Sequence, residues 1–110
     1  MTDIETDPGE FFDPELAELE RLSNGALDLI ETGLFEEAER TCTELKARFP
    51  DTIDWIERFA ALHEARGHVD KAVEHYRLCL AYIDHKSEGF DAESREWYQE
   101  QIDRLRIVGQ

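Results

Sequence analysis

The sequence has few basic residues, few cysteines, few prolines and no long apolar run. Twelve lysines and arginines stand against 27 aspartates and glutamates, so the formal net charge at pH 7 is −15. Nucleic-acid phosphates and anionic membranes would repel such a surface, so neither is expected as a partner. The acidic balance also occurs in salt-adapted or GC-rich sources, so it indicates either a need for solubility or recognition of a basic partner.

Cysteines and apolar runs are too scarce for several classes of protein. Cys42 and Cys79 are too few and too far apart for a disulfide framework or a zinc finger, and both fall on inward-facing helix positions, so we expect reduced core thiols. No stretch approaches the ~20 apolar residues of a membrane-spanning helix, and residues 1–12 lack the basic and apolar regions of a secretory signal. We therefore expect a cytoplasmic protein that does not contact membranes.

Prolines and acidic residues divide the chain into a tail and a domain. Residues 1–12 combine four acidic residues with Pro8 and Gly9 and have no hydrophobic period, which predicts an acidic flexible tail. Asp13 and Pro14 then form a helix start, because the aspartate can accept bonds from free amides and proline has no amide to leave unpaired. With 110 residues in all, we expect residues 13–110 to form one domain.

An internal repeat organises this domain. Residues 33–38 read GLFEEA and residues 67–72 read GHVDKA, so both copies have glycine first, an apolar residue third, an acidic residue fourth and alanine last. The offset is 34 residues, and it also pairs Ala26 with Ala60. A period of this length is typical of arrays in which each unit is a supersecondary element that cannot bury its own apolar face.

The repeat resembles the tetratricopeptide repeat (TPR) family, whose unit is a 34-residue pair of antiparallel helices. The resemblance implies an all-α fold of about five helices, in which antiparallel helical hairpins stack as a short right-handed solenoid. It implies repeat one at about residues 19–52, repeat two at about 53–86 and a capping helix at about 91–107. Repeats of this kind serve as binding platforms for unrelated partners, so the fold by itself does not name a function.

Helical periodicity and helix-breaking residues predict where the helices begin and end. The first helix should run from Pro14 to about Thr32, the second from about Phe35 to Arg48, the third from a cap at Asp51 or Thr52 up to Gly67, the fourth from Val69 to near Asp84, and the last from near Asp91. On the last helix the inward stripe should contain Ser94, Trp97, Tyr98, Ile102 and Leu105. Gly33 and Gly67 should supply the positive φ that a tight reversal needs.

The sequence contains no recognisable catalytic motif. There is no glycine-rich phosphate loop, no nucleophile elbow and no glutamate-flanked histidine pair. Among the histidines, His75 lies one helical turn from Cys79, but two ligands do not make a metal site. His63 falls where the TPR resemblance places a packed aromatic residue. We therefore expect structural or surface histidines, no metal, no cofactor and no enzymatic activity.

The TPR resemblance, combined with helical phase, implies a groove lined by the first helix of each hairpin. Its expected lining residues are Glu20, Ser23, Asn24, Leu27 and Glu31 from the first unit and Asp54, Glu57, Arg58, Ala61 and Glu64 from the second. A stripe of negative charge should consist of Glu20, Asp54, Glu57 and Glu64. This composition predicts a protein partner whose bound segment is basic or amphipathic.

The leading hypothesis is a small non-enzymatic adaptor or scaffold that binds another protein in an acidic concave groove. One alternative is a self-assembling structural module that forms homo-oligomers by burying Trp97 and Tyr98 of its last helix against a second copy. Another is a small chaperone that masks a client protein and has the same fold. Sedimentation of the purified protein tests the assembly alternative, whereas only identification of the partner separates an adaptor from a chaperone.

Overall fold

Five α helices make up nearly all of the described chain. The computed structural model describes residues 13–86 and 92–108. The helices are α1 (Pro14–Glu31), α2 (Phe35–Arg48), α3 (Asp54–Ala65), α4 (Val69–Lys86) and α5 (Ala92–Val108). No β-strand occurs within the described ranges. The predicted all-α fold class is therefore confirmed, while the acidic tail predicted for residues 1–12 lies outside the described residues.

The start of α1 is set by the predicted aspartate–proline signal. The Asp13 carboxylate accepts hydrogen bonds from the backbone amides of Glu15 at 3.0 Å and Leu16 at 3.3 Å. These bonds satisfy two of the amides that a helix start leaves free, and Pro14 has no amide to satisfy. The local signal and the structure therefore agree at this end of the helix.

The two reversals that join α1 to α2 and α3 to α4 have the same backbone geometry. Gly33 and Gly67 have φ angles of 80° and 82°, in the left-handed region that suits glycine. After each glycine, the next amide donates to the carbonyl five residues earlier: Leu34 to Leu29 at 2.9 Å, and His68 to His63 at 2.8 Å. The sequence repeat is thus also a repeat of turn structure, and the prediction of positive φ at both glycines is confirmed.

Replacing Gly67 by valine should lower the free energy of unfolding by more than ~1 kcal/mol. Apart from chain neighbours, no heavy atom lies within 4 Å of the position a Cβ would occupy, so the expected loss comes from a β-branched residue at positive φ and not from a clash. Gly25→Val is the matched control, because the surroundings of Gly25 are equally open but it lies inside α1, where the same substitution should change the stability by less than about 0.5 kcal/mol. Urea unfolding measures both variants. An unchanged midpoint for Gly67→Val would contradict the strain argument.

The start of α3 differs from its prediction. Neither Asp51 nor Thr52 caps this helix, because its N-cap is Ile53, which makes no side-chain capping bond. The Thr52 hydroxyl instead donates to the Phe49 carbonyl at 2.8 Å, and so satisfies an acceptor at the end of α2. A threonine between two helices can serve either neighbour, and here it serves the preceding one.

The last two helices shift the repeat register by about one turn. α2 ends at Arg48, and the 34-residue offset places the equivalent residue at Tyr82, whereas α4 continues to Lys86. The buried stripe of α5 is Tyr98, Ile102 and Leu105, as predicted, but the Trp97 side chain is 46% exposed. The prediction that Trp97 points inward is wrong, because the buried stripe of α5 repeats at three- and four-residue spacing through Tyr98, Ile102 and Leu105, and Trp97 lies roughly a quarter turn away from that stripe.

Two buried clusters form the core, one for each hairpin. The first contains Leu22, Ala26, Ile30, Ala38, Cys42, Leu45 and Leu62. The second contains Ile56, Ala60, Ala72, Val73, Tyr76, Cys79, Ile83, Tyr98, Ile102 and Leu105. Leu62 belongs to α3 but is buried in the first cluster, so it links the second hairpin to the first. Each helix packs against the next one along the chain, and α1 also packs against α3.

Both cysteines are fully buried free thiols, as predicted. Burial raises the pKa of the Cys42 thiol to about 12 and raises the pKa of the Cys79 thiol as well. The thiolate is the reactive form of cysteine, so at neutral pH these two side chains behave as small apolar groups. They fill the core and present no nucleophile to solvent.

Candidate functional site

All ten residues predicted to line a groove lie on α1 and α3, and these two helices pack against each other. The exposed members are Glu20, Asn24 and Glu31. The half-buried members are Leu27, Asp54, Glu57, Arg58, Ala61 and Glu64, and Ser23 is buried. The structure therefore brings the two predicted sets side by side but gives their members different roles.

Arg58 is a central contact between α1 and α3. Its side chain is only 16% exposed, and its Nε donates to the Ser23 carbonyl of α1 at 2.9 Å. Its Nη1 forms an ion pair with Glu57 at 3.0 Å. The Ser23 hydroxyl is buried and has no hydrogen-bond partner among the described residues. Arg58 and Ser23 thus hold the two helices together and do not offer a free surface to a partner.

Glu57 and Glu64 are paired with side chains of the last two helices. The Tyr98 hydroxyl of α5 donates to the Glu57 carboxylate. The Glu64 carboxylate accepts a hydrogen bond from the Tyr76 hydroxyl at 3.2 Å and forms an ion pair with Arg104 at 2.8 Å. Burial and these carboxylates raise the pKa of both tyrosines, so the phenols stay protonated as donors. Half of the predicted negative stripe is therefore engaged inside the protein.

Other carboxylates of α1 and α3 are not engaged in this way. Glu20, Glu31 and Asp54 form no ion pair with any residue in the described ranges. Three- and four-residue spacing puts Glu20, Asn24, Leu27 and Glu31 on one side of α1. This side of the helix is negative, with one apolar residue between its charges.

Sequence reasoning missed the contribution of α5 to this surface. Trp97, Gln101 and Arg104 share one side of α5 by their spacing, and Arg104 contacts both Glu64 of α3 and Gln101. The exposed Trp97 ring lies edge-on to the Tyr98 ring, with 5.3 Å between centroids. Exposed tryptophans backed by well-packed neighbours often dominate the binding energy of protein interfaces. The spacing is visible in the sequence, but only the contact with Glu64 reveals which side of α5 adjoins α3.

We call this combined surface the α1/α3/α5 face. It consists of Glu20, Asn24, Leu27, Glu31, Asp54, Ala61, Trp97, Gln101 and Arg104. On this face α1 carries the carboxylates of Glu20 and Glu31 and the half-buried Leu27, α3 carries Asp54 and Ala61, and α5 carries the exposed Trp97. Such a combination of charge and apolar area suits recognition of another polypeptide.

Neither a metal-binding cluster nor a membrane-spanning helix occurs in the described part of the chain. Within residues 13–86 and 92–108, no three histidine, cysteine, aspartate or glutamate side chains are arranged to hold a metal ion. None of the five described helices has the length and apolar character that a bilayer crossing requires. The α1/α3/α5 face is the candidate site because it combines exposed carboxylates with an exposed tryptophan.

The chain has no significant match among protein-family models, curated proteins or solved structures. The TPR resemblance consequently depends on the 34-residue repeat in the sequence. The structure itself shows an all-α fold, two turns of equivalent geometry and packing between neighbouring helices.

Proposed function

We propose that this chain is a small TPR-type helical repeat protein whose α1/α3/α5 face forms a groove that binds a segment of another protein. The equivalent turns at Gly33 and Gly67 support the repeat assignment. Equivalent alanines support it too, since Ala26, Ala60, Ala38 and Ala72 are all fully buried. Small side chains at these positions let the helices of each hairpin approach closely. The proposed role is binding and not catalysis.

The observation that carries the binding role is an exposed tryptophan on the same face as unpaired carboxylates. Trp97 supplies an apolar anchor, and Glu20 and Asp54 supply negative charge that no described residue neutralises through an ion pair. On this face Arg104 already places a guanidinium against Glu64 at 2.8 Å. A lysine or arginine of a partner would form the same kind of ion pair with the carboxylates of Glu20, Glu31 and Asp54. The proposed partner segment is therefore basic or amphipathic, either helical or extended.

The self-assembly alternative requires Trp97 and Tyr98 on the surface, and only Trp97 is exposed. Tyr98 is 6% exposed and belongs to the second core cluster, so its side chain is not available for burial against a second copy. Trp97 remains exposed and is the residue that a second copy would have to cover. Sedimentation velocity at several concentrations separates the adaptor hypothesis from the self-assembly hypothesis, because a concentration-independent monomer is incompatible with assembly. A client-masking chaperone would use the same face and differs only in the identity of the partner.

Changing Glu20 and Glu31 together to lysine should weaken binding of a basic amphipathic segment by about tenfold at low salt, which corresponds to about 1.4 kcal/mol. A synthetic amphipathic helix with lysine and arginine on its polar side serves as the probe, and fluorescence anisotropy measures Kd. Exposed charges act through a screened field. The loss should therefore shrink as the Debye length falls from about 30 Å at 0.01 M salt to about 8 Å at physiological salt.

The matched control is a double change of Glu36 and Glu74 to lysine, which alters the net charge equally at exposed positions of α2 and α4, outside the α1/α3/α5 face. Glu57 and Glu64 do not suit this test, because their reversal would break contacts with α4 and α5 inside the fold. Equal weakening by both double variants at every salt concentration would mean that net charge alone attracts the probe, and would refute this face as the site. A scrambled probe of the same composition measures the apolar contribution.

A further inference from the structure

Three of the four histidines lie together where α3 turns into α4. His63 is on the last turns of α3, His68 is in the reversal, and His75 is on the second turn of α4. The ring centroid of His63 lies 5.0 Å from that of His75 and 6.1 Å from that of His68. Phe59 stacks on His63 at 6.0 Å and lies 5.7 Å from His75. We call these four residues the histidine cluster.

The charges that face the His63 ring are mostly positive. Arg66 follows α3 and Lys71 is on the first turn of α4, and both oppose a positive charge on the ring, as do the neighbouring histidines. From α2, the carboxylate of Glu39 faces the ring as well. That carboxylate is already paired, since its Oε1 accepts the Arg66 Nη1 at 2.8 Å. Protonation of His63 would therefore add a positive charge beside Arg66 and Lys71. The one carboxylate named above, that of Glu39, is already paired and is not free to balance this charge.

The surroundings of His63 also disfavour its protonated form. Its side chain is half-buried, and its Nδ1 is buried without a hydrogen-bond partner among the described residues. The Nδ1 of His75, by contrast, lies 2.9 Å from the Lys71 carbonyl and donates to it in the matching tautomer. Burial lowers the pKa of His63 below its ordinary value of 6.5, and the positive charges around it lower the pKa further.

The cluster lies where the second hairpin meets α2. Arg66, at the end of α3, forms the ion pair with Glu39, and its guanidinium lies 5.9 Å from the centre of the Phe35 ring of α2. A positive charge in the histidine cluster would repel the Arg66 guanidinium and so disturb the turn between α3 and α4. The two hairpins would then pack less tightly.

We propose that the histidine cluster makes the packing of the two hairpins sensitive to pH, with protonation of the half-buried His63 beside Arg66 and Lys71 loosening α2 from the α3–α4 turn. A histidine whose pKa is lower in the folded than in the unfolded protein gives its full stabilisation above about pH 6.5. That stabilisation is lost as the pH falls through the lower, folded value. The inference does not depend on the proposed groove.

The rest of the molecule is expected to become more stable, not less, as the pH falls through the range in which histidine titrates. Acidic residues outnumber basic ones by 27 to 12, so partial neutralisation of carboxylates relieves self-repulsion. The paired carboxylate of Glu18 has its pKa lowered to about 2 by hydrogen bonds from Arg21 and Arg48, well below the range in which histidine titrates. A fall in stability between about pH 7.5 and 5.5 would therefore point to the histidines.

Thermal unfolding of the full chain at these two pH values tests the proposal. The midpoint of the wild-type protein should be lower at pH ~5.5 than at pH ~7.5, by up to about 4–8 °C, because a single histidine can contribute at most about one pKa unit of linkage over this range. In His63→Phe, an aromatic ring keeps the stack with Phe59 but cannot take up a proton, so most of that fall should disappear. His85→Phe is the matched control, because His85 is exposed near the end of α4 and outside the cluster, and it should retain the full fall.

A wild-type midpoint that is unchanged or higher at the lower pH would overturn the proposal, and so would a full fall in His63→Phe. Should that variant not fold, titration of the imidazole proton resonances by NMR decides the question on the wild-type protein. The His63 resonance should titrate below pH 6.5 in the folded chain and near 6.5 in the urea-unfolded chain. Equal midpoints in the two states would rule out His63 as the sensitive group.

Discussion

Truncating Leu62 to alanine is expected to lower the free energy of unfolding by about 2–5 kcal/mol. Leu62 is 0% exposed and lies on α3, yet it is buried among residues of α1 and α2. Its removal therefore opens a cavity where the two hairpins meet. In a domain with a total stability of about 5–15 kcal/mol, a loss of this size is a large fraction of the whole.

Urea unfolding followed by circular dichroism measures the effect of Leu62→Ala. The matched control is Leu78→Ala, the same truncation on α4 at a side chain that is 42% exposed, with an expected change below about 0.5 kcal/mol. Because stacked hairpins stabilise each other through their shared interface, Leu62→Ala should also broaden the transition and lower the m value. Similar losses in the two variants would contradict the role of Leu62 as the buried link.

Replacing Tyr98 by alanine is expected to lower the free energy of unfolding by about 3–5 kcal/mol. Its ring belongs to the second core cluster and lies 6.4 Å from the ring of Tyr76. Its hydroxyl donates to Glu57 of α3. The alanine variant therefore leaves a cavity between α4 and α5 and removes a donor from a half-buried carboxylate.

Two further variants separate these contributions. Tyr98→Phe keeps the ring and removes only the hydroxyl, so the loss should be about 1 kcal/mol, because the Glu57 carboxylate is still partly in contact with water. Trp97→Ala removes a larger but exposed ring from the next residue and should affect binding of the amphipathic probe more than stability. If Trp97→Ala were the more destabilising of the two alanine variants, Tyr98 would not be the residue that anchors α5.

Helix ends with their own local signal could be predicted from the sequence. Asp13 with Pro14 begins α1, and Gly33 and Gly67 form the two reversals, because capping bonds and positive φ are properties of a few neighbouring residues. The start of α3 could not be predicted in this way. Thr52 was free to bond either to α3 or to the end of α2, and the choice depends on how the two helices meet.

The candidate site could be predicted only in part. Helical phase grouped the acidic residues of α1 and α3, since spacing along one helix decides which side chains share a side. It could not say that Glu57 and Glu64 would be engaged by Tyr98 and Arg104, because these partners come from a helix far along the chain. For the same reason the sequence did not point to Trp97 as part of the face.

The all-α class, the 34-residue repeat and the acidic surface were determined by the sequence itself, because periodicity, breaker residues and charge act locally or add up over the chain. The tertiary structure alone decided that Leu62 joins the two hairpins, that Trp97 is exposed while Tyr98 is buried, and that three histidines meet at one turn. These features depend on how helices pack against one another in the folded chain. The side of α5 that faces the core is chosen when this helix packs against α4, and the spacing of residues along α5 alone does not make that choice between Trp97 and Tyr98.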